Sequence, residues 1–172
     1  WKEVSLQQAI EQRYGVPVLI NNDANCFAAG EFYFGKGQGK DSMVGLAVGT
    51  GLGAGIILNK KLYSGKACCA GEFGMVPYLD KYFEYYASGQ FFQNIHHVDG
   101  ESVFKQASEG DEIALSLYRE FGKHFGNAIK MILYTVDPEL IVLGGSVRKA
   151  YRLFEKSMWY QIDNLELRKG IE

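Results

Sequence analysis

The chain has 172 residues, enough for one domain with a real core. Its 47% hydrophobic and 22% charged residues are ordinary for a soluble globular protein, and a net charge of -2 argues against a basic nucleic-acid surface. No apolar run approaches the ~20 residues of a membrane-spanning helix. Nothing at the start reads as a signal peptide, and Trp1 stands where an initiator methionine would be. Three cysteines, two of them adjacent (Cys68 and Cys69), do not make a disulfide framework, so a reducing cytoplasm is expected.

In chain order, Ser5 to Tyr14 reads as a short helix with Leu6, Ala9 and Ile10 on one face, ended by Gly15. Val16–Ile20 reads as a short buried strand running into the polar segment Asn21–Asn25, which can cap a following helix over Ala24 to Phe34. An exposed glycine-rich loop leads to two apolar runs, Met43–Val48 and Gly53–Leu58, rich in valine, isoleucine and leucine and therefore strand-like. Leu62–Gly65 is a short extension. Ala70–Tyr78 is irregular, with Glu72 between two glycines. Lys81–Gln93 is crowded with Tyr82, Phe83, Tyr85, Tyr86, Phe91 and Phe92, with Glu84 among them; most of these rings read as core. Glu101–Ser108 is a short helix. Glu112–Val136 is the clearest helix, its apolar residues spaced by three and four, and Asp137-Pro138 stops it. Glu139–Leu143 reads as a buried strand ending in Gly144-Gly145-Ser146, and a last amphipathic helix spans Val147 to Gln161. Strands precede helices repeatedly, so the class is α/β.

The stretch between the two central strands, Gly49-Thr50-Gly51-Leu52-Gly53, reads as a tight hairpin whose backbone comes close to another group. Free amide N–H groups beside a threonine hydroxyl make an anion cradle, with phosphate the natural anion. Gly49-x-Gly51-x-x-Ala54 formally matches a dinucleotide fingerprint, but that motif opens a helix; here Ile56-Ile57-Leu58 runs into an Asn-Lys-Lys turn signal. A P-loop fails at Gly39-Lys40-Asp41. The plain alternative is a glycine hairpin without a ligand. Asp23 follows the expected strand end and precedes a helix, a place where open α/β sheets hold ligands and where a carboxylate can take a proton from a substrate hydroxyl. Alternatively, Asn22 and Asp23 simply cap that helix. Glu72 and Glu84 could accept hydrogen bonds from a polyol whose apolar face rests on aromatic rings.

Asn22-Asp23-Ala24-Asn25, Gly49-Thr50-Gly51-Leu52-Gly53-Ala54-Gly55, Ala70-Gly71-Glu72-Phe73-Gly74, Glu84-x-x-Ala87-Ser88-Gly89 and Val142-Leu143-Gly144-Gly145-Ser146 resemble, in this order, the motifs of the ROK family (repressors, open reading frames and sugar kinases). The resemblance spans nearly the whole chain. It implies an actin-like, ribonuclease-H-like ATPase lobe: a central mixed sheet flanked by helices. The implied reaction is ATP-dependent phosphorylation of a hexose or N-acetylhexosamine, with Mg²⁺ accompanying the ATP. By the same resemblance, Asp23 is the catalytic base; Asn22, Asp23, Glu72 and Glu84 hold the sugar; Gly49, Thr50 and Gly51 meet the ATP phosphates; and Gly144 and Gly145 lie by the nucleoside. A homodimer is also implied.

The chain departs from the family pattern in two ways. Met75 stands where many members have a zinc-binding histidine, and no cysteine follows Cys69, so zinc is not expected and the sugar preference stays open. An Asp-x-Gly-Gly-Thr phosphate motif is missing. The expected organisation is therefore residues 1–15 as the tail of a preceding lobe and 16–172 as the large sugar- and nucleotide-binding lobe, truncated at its C-terminus and a poor kinase by itself. The alternative is the sugar-sensing effector region of a ROK transcriptional repressor, with DNA bound elsewhere; a helix-turn-helix ahead of this region would mark it. A pure interaction module would leave the acids and glycines coincidental.

Overall fold

The computed structural model describes residues 5–163; the outer ends of the two expected segments, at residues 1 and 172, lie outside these. Strand β1 (Met43–Val48) pairs antiparallel with β2 (Leu52–Leu58) and parallel with β6 (Ile141–Gly144). Strand β3 (Lys61–Tyr63) extends the sheet beyond β2, giving the order β3-β2-β1-β6. The expected mixed sheet is thus present. Val48 lies opposite Leu52, which leaves Gly49-Thr50-Gly51 as a three-residue connection.

Successive side chains of a strand point to opposite faces. Val44, Leu46, Val48, Leu52, Ala54 and Ile56 face the larger core, whereas Met43 and Ile57 join Phe32 in a smaller one. On that second face lies helix α2 (Asp23–Phe34). It sits close because glycines let it: a Cβ at Gly45 would come 2.9 Å from Ala28 Cα, and one at Gly55 would come 2.6 Å from the Ala24 carbonyl oxygen. Helices cover both faces, so β1 reads as a continuous apolar run rather than an alternating one.

The larger core is closed by α6 (Glu112–Val136) and α7 (Tyr151–Asp163), the latter preceded by a 3₁₀ turn over Val147–Ala150. Phe121, Phe125 and Phe154 are buried between them and stack edge-to-face across the contact. Each such side chain contributes roughly 1.5–3 kcal/mol by burial. Gly122 and Gly126 bring the axes together: a Cβ at either would stand 2.6 Å from a carbonyl oxygen of α7, that of Phe154 or Met158. Between sheet and bundle lie a two-stranded ribbon, β4 (Pro77–Tyr78) with β5 (Lys81–Tyr82), and the short helices α3 (Phe83–Ala87), α4 (Phe91–His96) and α5 (Gly100–Ser108). Of the aromatic stripe, Phe83, Tyr86, Phe91 and Phe92 are core, Tyr85 is half-buried and Tyr82 is exposed.

Helix α1 (Leu6–Tyr14) forms as expected, with the Ser5 hydroxyl accepting the Gln8 N–H and Gly15 in the left-handed region at φ 65°. The expected strand over Val16–Ile20 does not form. The segment is unpaired, Leu19 is 94% exposed, and the Val18 N–H donates to the Glu11 carboxylate instead of a neighbouring strand. An apolar β-branched run becomes a strand only where another strand's edge meets it, and none does here among the described residues. Asp23 therefore follows an extended segment, not a sheet strand. The last strand also differs from expectation: β6 is half-buried, with Gly144 alone fully covered, because it is an edge of the sheet.

Candidate functional site

The sequence-predicted residues gather around the hairpin between β1 and β2. Segment 84–90, most of α3 and the link that leads to α4, grips that hairpin at four points. The Glu84 carboxylate accepts the Leu52 N–H at 2.9 Å. The Gly89 N–H donates to the Gly49 carbonyl at 2.7 Å. The Ser88 hydroxyl and the Gln90 side-chain amide both donate to the Thr50 carbonyl, each at 2.9 Å. The Gly49 N–H closes the turn on the Gly51 carbonyl. The N–H groups of Thr50 and Gly51 make no hydrogen bond among the described residues, and Thr50 is exposed.

The acids surround the first residues of β2. Glu84 lies against Gly51, where a Cβ would stand 2.6 Å from its Oε2. Glu72 is exposed and lies between two glycines packed on the same strand: a Cβ at Gly71 would strike the Ala54 carbonyl, and one at Gly74 would come 2.6 Å from the Leu52 carbonyl and 3.3 Å from Glu84 Cβ. Asp23 opens α2, and the next residue, Ala24, stands 3.1 Å from the Cβ position of Gly53. Asp23, Glu72 and Glu84 thus approach one strand start from three different elements.

Asn22 does cap α2, its side-chain oxygen accepting the Asn25 N–H at 2.7 Å. Capping and a ligand role are compatible, because the cap engages one oxygen and leaves the amide nitrogen free to donate. The turn is braced from beneath: Asn21 Oδ1 accepts both the Asn22 N–H and the Asn25 side-chain amide, and Asn25 is fully buried. Asp23 is exposed, its Oδ1 accepting the Ala24 N–H, and it stands in the first turn of α2, where a carboxylate complements the helix dipole.

Beside the hairpin a cleft of ≈ 600 Å³ opens, lined by Gly49, Thr50, Gly89 and Gln90 and by Ser146, Val147 and Lys149. Phe92, Phe104 and Tyr118 supply apolar surface. Burial pushes the Tyr118 hydroxyl up to about 12, so it stays protonated and neutral. Gly144 and Gly145 do not themselves line the cleft. Gly144 packs under the Phe27 ring, while Gly145, at φ 82° and with its Cβ position against the Val48 carbonyl, makes the turn that delivers Ser146 beside Gly49. Ser88, Gln90, Ser146 and Lys149 were not singled out from sequence. Ser88 and Ser146 fall within motifs, but nothing in the local sequence around Gln90 or Lys149 marks them, since their place depends on how distant segments dock.

The glucokinase of Streptomyces coelicolor is 29% identical over 180 residues, covering 86% of this chain and 57% of that protein. The xylose repressor of Bacillus subtilis is 27% identical over 180 residues, covering 95% of this chain and 47% of the repressor. The chain thus spans about half the length of these relatives. Among solved structures, a ROK family glucokinase from Streptomyces griseus in complex with glucose and AMPPNP superposes with a TM-score of 0.77 at 28% identity, over 94% of this chain and 62% of that one. That likeness places the mixed sheet and its flanking helices in the actin-like ATPase fold. The ROK family model matches residues 1–169, and with it every motif around the hairpin: the chain belongs to the ROK family.

Proposed function

We propose that this chain is the sugar- and nucleotide-binding lobe of an ATP-dependent hexose kinase of the glucokinase type. The observation that carries this reading is the hairpin shared by two sites: Glu84, grouped with Asp23 and Glu72, holds its Leu52 end, and a nucleotide-sized cleft is lined by its Gly49 and Thr50. A kinase needs such a juxtaposition, because phosphoryl transfer is mostly positioning and charge neutralisation. Asn22, Asp23, Glu72 and Glu84 hold the hydroxyls of a hexose or N-acetylhexosamine. Asp23 takes the proton of the attacking hydroxyl as the new P–O bond forms and the bond to ADP breaks. Gly49, Thr50 and Gly51 face the phosphates, and the Gly144-Gly145 turn shapes the nucleoside wall. Mg²⁺, when bound, neutralises phosphate charge. An ion accompanying a nucleotide is held largely by phosphate oxygens and water, with one or two carboxylates.

The expectation of a protein without structural zinc rests on Met75, which offers no imidazole, and on adjacent Cys68 and Cys69, which lack the spacing of a zinc site. A cytoplasmic homodimer completes the reading. No helix of the described residues is long and apolar enough to cross a membrane. The xylose repressor relatives favour a second reading, a sugar-sensing effector region that binds the sugar without transferring phosphate. Asp23→Asn separates the two. In a kinase the amide cannot accept the proton, so kcat should fall roughly 10²- to 10⁴-fold with little change in sugar affinity. Near-normal turnover in the variant would end the general-base assignment. No ADP release by the wild-type protein with glucose, mannose, N-acetylglucosamine or N-acetylmannosamine, alongside measurable sugar binding, would favour the effector reading.

A further inference from the structure

We propose that Ser88 and Gln90 are positioning residues that fix the Thr50–Gly51 peptide so that the hairpin's N–H groups stay free for the nucleotide's phosphates; the inference rests on the kinase reading above. In a trans peptide the C=O and the following N–H point in opposite directions. The Thr50 carbonyl is drawn toward segment 84–90 by two donors, Ser88 Oγ and Gln90 Nε2, each at 2.9 Å. The Gly51 N–H, on the far side of that peptide, therefore points away from the segment. The same holds one residue earlier, where the Gly89 N–H holds the Gly49 carbonyl and so aims the Thr50 N–H. Both N–H groups are the ones without a partner among the described residues.

Without the two donors, the Thr50–Gly51 peptide is free to flip. Such flips interconvert common turn types and cost little where glycine follows, because glycine tolerates either sign of φ. The flipped peptide presents a carbonyl oxygen where a phosphate oxygen belongs, turning attraction into repulsion. Two donors share one oxygen, so losing either weakens the hold on the peptide and losing both releases it. Ser88 is fully buried, so it cannot touch the nucleotide and acts only through the hairpin. Gln90 lines the cleft but spends its amide on Thr50. The Ser88 hydroxyl also accepts the Gln90 N–H at 3.2 Å, tying the donors together.

The test compares Ser88→Ala, Gln90→Met and the double variant with wild type, in the protein at the length of its relatives. Affinity for AMPPNP is read by calorimetry, KM for ATP and for hexose by turnover, and amide exchange of the peptide containing Thr50 and Gly51 by mass spectrometry. A single net hydrogen bond predicts about a 3-fold loss of AMPPNP affinity for each single variant. Loss of both donors predicts a more than multiplicative fall, about 30-fold or greater, with faster exchange confined to the hairpin and hexose KM within about 2-fold of wild type. A double variant that binds AMPPNP like wild type overturns the proposal, as does a parallel loss of nucleotide and hexose affinity, which would mark general destabilisation. If the double variant does not fold, Ser88→Ala alone decides: unchanged AMPPNP affinity with unchanged hairpin exchange overturns the proposal. Wild-type protein that fails to bind AMPPNP overturns the kinase reading itself, an outcome distinct from wild-type binding that the variants leave untouched.

Discussion

A methyl group tells apart two kinds of glycine in this protein. At Gly51 the added Cβ would meet only the tip of the Glu84 side chain, 2.6 Å away at Oε2. A carboxylate on a flexible side chain can swing aside, so the fold should tolerate Gly51→Ala with less than about 1 kcal/mol of lost stability. The carboxylate would, however, leave the Leu52 N–H and its place among the acids proposed to hold the sugar. The expected result is a hexose KM raised about 10-fold, the equivalent of one or two lost hydrogen bonds to a charged group, with an ordinary urea midpoint. Steady-state kinetics and denaturation of the same preparation check both halves, and an unchanged hexose KM would remove Glu84 from the sugar site.

At the scale of elements the same substitution has the opposite effect. Gly55 faces α2, where a new Cβ would press on the Ala24 carbonyl at 2.6 Å and on Ala28 Cβ at 2.5 Å. Neither can move without the helix moving, because both belong to its backbone or its first side-chain atom. Gly55→Ala should therefore destabilise the protein by about 1–3 kcal/mol, read as a lower denaturant midpoint at unchanged slope. A wild-type midpoint would show that α2 can lift off the sheet freely. The helix also starts at Asp23, so its distance from β2 bears on where the proposed base stands. The three glycines on this sheet face, Gly45, Gly53 and Gly55, set that distance by packing, whereas Gly49 and Gly51 lie in the connection between the two strands.

For the whole molecule, the relevant fact is the length shared with relatives. The chain corresponds to 57% of the Streptomyces coelicolor glucokinase. It presents the acids on open surface, with Asp23 and Glu72 exposed. Hydrogen bonds made there compete with water and contribute little net affinity, and a single wall cannot exclude water from the transferring phosphoryl group. The 172-residue chain alone should therefore turn over hexose far more slowly than the protein extended to the length of its relatives. Coupled ADP release from both, under identical sugar and ATP concentrations, makes the comparison. Comparable rates would show that this lobe suffices for catalysis and would refute the expectation that a second lobe is needed to close over the site.

Local signals decided much of this protein. The caps at Ser5, Asn22 and Asp111, the three-and-four spacing of α6 and the apolar runs around Gly49-Thr50-Gly51 are short-range features, and α2, α6 and the central hairpin follow them to within a residue or two. The ordered motifs also named the family, because each reflects a backbone or carboxylate need that one residue type meets. Tertiary structure decided what depends on partners far away in the chain. Val16–Ile20 has strand-forming residues but no strand beside it, so its propensity was never realised. Ser88 and Gln90 acquire their role only because segment 84–90 docks on a hairpin some forty residues earlier. The cleft beside Thr50 exists only because Gly145 turns Ser146 back toward Gly49. Hydrogen bonding and close packing between remote segments act in three dimensions, and a linear pattern holds no record of which segments will meet.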